Sequence, residues 1–202
     1  DHVNEGDMDY SAVLTKVKAA NPDAVYGACL GGDYTLWVRS MKQMNWLPKA
    51  AINYCTGYQD PIIAKQLGPD GDLFMGGTGY SPEIGAKYMK AVAAVEKFYT
   101  KKTTVPFDSD SIQEAVALFI LAQAIDKAKT LDVEKVAETL RTTTWDSPLS
   151  LGGKVAFGAG GQNMKATSVI TQLHGLKYVP VFPKEYAEAK ATVPMTPWDK
   201  RK

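Results

Sequence analysis

Two cysteines and two histidines are all that 202 residues hold of the soft metal ligands. That set cannot build a zinc cage, and a mixed metal site is not expected. No charge of one sign dominates: 23 basic residues face 22 acidic ones, for a net charge of +1. The chain therefore lacks the electrostatic footprint of a nucleic-acid or anionic-membrane binder. Long apolar runs are missing as well. The longest, Ala115 to Ala122, falls far short of the roughly 20 residues that span a bilayer. No G-x-S-x-G elbow, H-E-x-x-H pair or G-x-x-x-x-G-K-[ST] loop occurs. His2 and His174 read as solvated surface residues without the orienting neighbour that acid–base work needs. Neither catalysis nor a cofactor is expected. The opening residues, Asp1 to Asp7, show neither the basic start nor the apolar stretch of a secretory leader, and the low cysteine count does not fix a compartment.

What is present suits a packed globular chain. Hydrophobic residues make up 45% and charged residues 22%, with 17 glycines and 11 prolines. This length fits one generous domain or two small ones. Tyr10, Val13, Leu14 and Val17 form the stripe of an amphipathic helix, with Asp9 as its cap and Asn21-Pro22 as its stop. Asp23 to Cys29 reads as a buried strand, and Gly31-Gly32-Asp33 as the break that opens a helix from Tyr34 to about Asn45. Ala50 to Tyr54 is a second strand, Thr56 to Gln59 a loop, and Asp60-Pro61 the start of a short helix. Leu73 to Met75 is a third strand. This alternation implies parallel βαβ units.

The pattern changes after Gly76 to Pro82. Ile84, Tyr88, Val92, Val95 and Tyr99 predict one long helix. A second begins at two overlapping capping boxes, Asp110…Gln113 and Ser111…Glu114, and is apolar nearly all round from Ala115 to Ile125, which predicts deep burial. A third starts at Asp132, with Leu131 and Val136 spaced as a hydrophobic staple. Residues 84–143 are thus expected as a separate helical group. Lys154 to Phe157 is a brief strand and Gly158 to Asn163 a turn. Ser168 to Leu173 and Lys177 to Phe182 form a hairpin, and Pro180 puts its second strand on an edge.

Three features carry chemical alternatives. Gly76 to Gly79 reads either as a phosphate cradle or as a crossover between substructures. Cys29 and Cys55 each end a strand, so they are either small buried hydrophobes or, on neighbouring strands, a pair of approaching sulfurs. Leu30-Gly31-Gly32-Asp33 and Thr56-Gly57-Tyr58-Gln59-Asp60 follow strand carboxyl ends, the edge where ligands bind in open α/β sheets. The two glycines would admit backbone N–H groups to a ligand, and the helix start favours a carboxylate. Thr56 and Gln59 would supply hydrogen bonds and Tyr58 an apolar wall. Asp33 and Asp60 read either as helix caps or as charges for the ligand.

The run DYSAVLTKVKAANPDAV (9–25) resembles the second half of the bacterial leucine/isoleucine/valine-binding proteins, the type I solute-binding proteins of ABC importers. GGDYTLWVRSMKQMNW (31–46), SIQEAVALFILAQAIDKAKTLDVEKVAETL (111–140) and GGKVAFGAGGQNMKATSVITQ (152–172) match in the same order. The resemblance implies an α/β periplasmic-binding-protein type I fold, present in part. Residues 1–80 and 166–202 would belong to the second lobe, and 81–165 to the segment returning to the first. The N-terminal half of the family fold would be absent, and Phe119 and Leu121 would face the missing first-lobe sheet. Periplasmic location, a small-molecule ligand, ABC importer permease subunits and the remaining N-terminal half as partners follow as implications, with no nucleic acid. In the family the second lobe gives an aromatic residue near Leu30 and often an acidic one near Thr56. This chain departs at both, so either Asp33 or Asp60 takes over the acid's role, or the ligand has no ammonium group. The expected ligand-facing edge comprises Cys29, Leu30, Gly31, Gly32, Asp33, Thr56, Gly57 and Tyr58, with Ser109, Asp110 and Gln113 approaching across a cleft. The competing reading is an intracellular α/β enzyme or ligand-sensing regulatory domain of similar architecture.

Overall fold

The computed structural model describes residues 9–201, with Thr56 described by its backbone alone. The readings on His2 and on the first seven residues lie outside the described residues. The chain divides into two compact units, residues 1–78 with 169–202, and residues 79–168.

The first unit is an α/β layer around one five-stranded sheet. Its strands are β1 (Ala24–Gly27), β2 (Ala50–Asn53), β3 (Met75–Thr78), β6 (Val169–His174) and β7 (Lys177–Phe182), hydrogen-bonded in that order. β1, β2 and β3 run parallel, while β6 and β7 pair antiparallel, so the sheet is mixed. Helix α1 (Ser11–Ala19) presents the predicted stripe. Tyr10 and Leu14 are buried, and the Asp9 carboxylate accepts from the Ser11 N–H at 2.7 Å. Asn21, at φ +46°, ends it. Helix α2 (Gly31–Gln43) buries Tyr34, Trp37, Val38 and Met41, at i, i+3, i+4 and i+7.

β1 stops at Gly27, two residues short of the expected end, and its residues are exposed or half-buried, where a buried strand was expected. Three further boundaries shift. α2 begins at Gly31, three residues early, because glycine tolerates the φ of +28° that follows extended Leu30. Residues 56–59 form a one-turn helix, α3 (Thr56–Gln59), in place of a loop. It leads into α4 (Pro61–Leu67), capped by Asp60, whose carboxylate accepts from the Ile62 N–H. β3 starts at Met75 because Leu73 takes a left-handed φ of +66°. Gly76, Gly77 and Thr78 therefore lie inside the sheet, and the break between units comes after them.

Pro180 sits on β7, an edge strand, as its missing N–H requires. The tail after β7 returns over the sheet. The buried Gln172 carboxamide donates to Leu73 O and Thr192 O and accepts from the Thr192 N–H. Trp198 Nε1 donates to Trp46 O at 3.0 Å. Arg201 stacks on Trp198, with its guanidinium carbon 4.3 Å from the ring centre, and donates to Asp70 O. Burial lowers the Arg201 pKa, and the nearby Asp72 and Asp70 carboxylates oppose that shift.

The second unit contains α5 (Pro82–Tyr88), α6 (Val92–Thr100), α7 (Ser109–Ala128), α8 (Val133–Thr142) and a hairpin of β4 (Thr144–Asp146) with β5 (Lys154–Ala156). The single helix expected over residues 84–99 is two helices, because Met89 leaves helical geometry at φ −118°, ψ 92°. α7 is capped by Asp108, which accepts from the Ser111 N–H and hydroxyl at 2.8 and 2.7 Å, and not by Asp110 or Ser111. Its centre is not deeply buried. Ile120 and Ala124 pack with Val136, Trp145 and Val155, whereas Leu118 is 70% exposed and Leu121 43%. Asp132 caps α8, but Leu131 is 79% exposed and forms no staple. No helix among the described residues is long and apolar enough to cross a membrane.

Candidate ligand-binding edge

The carboxyl ends of β1 and β2 are joined by one side chain. Asn53, the last residue of β2, is fully buried. Its carboxamide oxygen accepts from the Cys29 N–H at 2.8 Å, and its nitrogen donates to Cys29 O at 3.2 Å and Cys55 O at 3.4 Å. The strand ladder itself runs one step beyond the last registered pair, with the Tyr54 N–H donating to Gly27 O at 2.9 Å. The Asn53 side chain then replaces the next rung and fixes both post-strand segments. Sequence reasoning missed this residue. A carboxamide closing an otherwise apolar four-residue strand was the available signal, since a buried amide must find partners.

Of the predicted residues, Cys29 is buried, and its thiol pKa is pushed up to about 12 by burial first, then by Asp33 and Cys55. Both cysteines are free thiols. Leu30 is 44% exposed and serves as the extended N-cap of α2 without a side-chain cap bond. Gly31 and Gly32 form the first turn, and a Cβ on either would meet nothing within 4 Å. Asp33 is half-buried at the third helical position, so it is not the cap that one reading made it. It is the acidic residue of that turn, where the helix dipole favours a negative charge.

Gly57 belongs to the packing beneath the edge. A Cβ there would lie 2.5 Å from the Tyr34 Cβ and 2.9 Å from Cys29 O. Tyr58 is corrected from ligand wall to core residue. It is 1% exposed, its hydroxyl donates to Thr171 O at 2.9 Å, and its ring meets Tyr34 and Tyr178 edge-on. Burial raises its pKa, opposed by the Thr171 hydrogen bond. Gln59 also turns inward and donates to Gly77 O. The aromatic group exposed at this edge is Tyr54, which follows β2 directly and is 58% exposed. The Thr56 side chain lies outside what is described.

The remaining candidates belong to the other unit. Ser109 is buried on the first turn of α7, and the exposed Gln113 folds back to donate to Ser109 O and Oγ at 3.1 and 3.2 Å. Asp110 is exposed on the same turn. Among the described residues no cluster of three metal-ligating side chains occurs. A shallow groove of about 400 Å³ lies between Lys16 and Val17 of α1 and the edge strand β1, and holds none of the candidate residues.

The family model described as a periplasmic binding protein matches residues 1–176. The leucine-, isoleucine-, valine-, threonine-, and alanine-binding protein of Pseudomonas aeruginosa is 26% identical over 170 residues, covering 79% of this chain and 40% of the relative. The Leu/Ile/Val-binding protein homolog 8 of Brucella abortus is 23% identical over 187 residues, 91% of this chain and 46% of the relative. The chain thus spans less than half the length of these relatives. Among solved structures, the leucine-binding protein LivK of Thermotoga maritima superposes with a TM-score of 0.69 at 22% identity, covering 87% of this chain and 48% of that one. The closed form of a leucine-, isoleucine-, valine-, threonine-, and alanine-binding protein from Brucella ovis gives 0.70 at 14% identity, with 96% and 52% covered.

Proposed function

Because this chain belongs to the periplasmic binding protein family, we propose that it is part of an extracytoplasmic receptor that hands a small polar solute to an ABC importer. On this reading the unit of residues 1–78 and 169–202 is most of the second lobe, and residues 79–168 belong to the first. The solute is an amino acid or a related small carboxylate or amide, in keeping with the amino acids named for the relatives. Its work is binding and release, with no bond made or broken.

The observation that carries this reading is the pinned edge after β1 and β2. Asn53 holds residues 29 and 55 in place, so the segments that follow present Leu30, Tyr54 and Asp33 from rigid elements. Preorganised polar groups at strand carboxyl ends are what a small-solute site requires. Asp33 supplies the counter-charge for a ligand ammonium, and Leu30 and Tyr54 supply apolar contact. Ser109, Asp110 and Gln113 remain the candidates of the other unit.

Native mass spectrometry of the whole protein as purified identifies a co-purified solute, and titration calorimetry then measures its affinity. Asp33→Ala weakens an ammonium-bearing ligand by about 2–5 kcal/mol, since truncation strands the partner charge. Tyr54→Ala weakens it less. Unchanged affinity in both variants removes this edge from the site.

A further inference from the structure

We propose that Cys29 and Cys55 are a redox pair, closing to an internal disulfide that ties together the two segments held by Asn53. Register is the first argument. β1 and β2 are adjacent and parallel with Gly27 opposite Asn53, so Cys29 and Cys55 stand at the same offset beyond the last pair. The second is the Asn53 carboxamide, whose single nitrogen reaches the carbonyls of both cysteines. The third is packing: the backbone of Gly57, two residues after Cys55, lies against Cys29 O. Matched positions just past the ends of two neighbouring strands are the placement from which a disulfide's short span can close.

The thiols differ in access. Cys55 is half-buried and meets an external oxidant first, while Cys29 is buried. With a disulfide oxidant such as oxidised glutathione, the Cys55 thiolate attacks one sulfur and expels one glutathione thiolate, leaving a mixed disulfide. The Cys29 thiol then gives up its proton as its sulfur attacks the Cys55 sulfur, and the second glutathione thiolate leaves and takes that proton. The two cysteines lose two protons and two electrons, and the oxidant's S–S bond becomes two thiols. The extracytoplasmic location proposed above would favour the closed form, but the chemistry itself does not depend on ligand binding.

The test treats the reduced chain with a glutathione redox buffer, quenches with acid, blocks remaining thiols with a maleimide and maps the peptides by mass. Both thiols are expected to vanish together, with the loss of two hydrogens and one peptide linking positions 29 and 55. The ratio of internal to mixed disulfide should be at least about tenfold higher in buffer than in denaturant, because the fold raises the effective thiol concentration. Cys29→Ser should leave Cys55 as its glutathione adduct, and Cys55→Ser should leave Cys29 unmodified. A wild-type chain that accumulates the Cys55 adduct with a free Cys29, pairs between chains, or gives equal ratios in the two solvents overturns the proposal.

Discussion

The Asn53 carboxamide holds both backbone polar groups of Cys29, accepting from its N–H at 2.8 Å and donating to its carbonyl at 3.2 Å. This side chain is fully buried. Asn53→Ala therefore strands a buried donor and acceptor together and should lower unfolding free energy by about 2–4 kcal/mol. Asn53→Asp keeps an acceptor for the Cys29 N–H but turns a buried, charged oxygen toward the carbonyls of residues 29 and 55, a cost that should cancel that gain. Urea midpoints of the three chains decide this, and an aspartate variant as stable as wild type would show that the carbonyl contacts contribute nothing.

A tyrosine and a glycine 18 positions apart set the second prediction. A Cβ at Gly76 would lie 2.1 Å from Tyr58 Cδ1 and 2.7 Å from Asn53 O. Backbone and a buried ring leave no room to yield, so Gly76→Ala should cost about 3 kcal/mol or prevent folding. Tyr58→Phe removes only the hydroxyl bond to Thr171 and should cost about 1 kcal/mol. Its ligand affinity should match wild type in calorimetry, because Tyr58 is core. A large affinity loss in Tyr58→Phe would restore it to the site.

These two residues also mark how far the sequence could be read. Periodicity located the face of α1, since burial of Tyr10 and Leu14 is a local, repeating demand. Pro180 announced its edge strand by the N–H it lacks. Gly76 and Gly77 looked like a connection, yet β3 needs them because Tyr58 occupies the space above Gly76, a requirement set by tertiary packing. Tyr58 itself follows a strand end, where an aromatic group suits either a ligand or the core, and one turn of helix turns it inward. The capping boxes read at Asp110 and Ser111 lay two and three residues too far along, because the extended backbone of Asp108 makes it the cap. At the candidate edge the glycines and Asp33 were visible, whereas Asn53 and Tyr54 were hidden inside a strand assignment.

Helix α7 supplies the third prediction. Leu118 and Leu121 lie three residues apart on one helix face, are 70% and 43% exposed, and Phe119 beside them is also exposed. A contiguous apolar stripe of this kind binds dyes and other apolar surfaces. The 202-residue chain should enhance the fluorescence of an apolar-surface dye and self-associate at micromolar concentration. The double substitution Leu118→Lys with Leu121→Lys should suppress both while changing stability by only about 0.5 kcal/mol, as exposed positions do. Dye signal and sedimentation unchanged by the double substitution would place the sticky surface elsewhere.

The last prediction follows from the Cys29 thiol, and is made for the reduced chain. An ordinary thiol near 9 is pushed up to about 12 by burial, with Asp33 on α2 and Cys55 after β2 adding to the shift. The fold therefore favours the protonated form. Below pH 9 both the folded and unfolded chains carry the proton, and the stabilisation is complete. Between pH 9 and 12 the unfolded chain releases its proton while the folded chain keeps it, so stability falls by about 1.4 kcal/mol per pH unit. Above 12 the loss is complete. The buried hydroxyls of Tyr34 and Tyr58 are raised in the same direction from an ordinary value near 10, so they steepen the decline only above that pH. Cys29→Ala removes the earliest titration. Urea midpoints at pH 8, 9 and 10 in the presence of a reductant should fall for the wild-type chain and stay nearly level for Cys29→Ala. Parallel curves for the two chains would mean that the thiol ionises as readily in the fold as out of it.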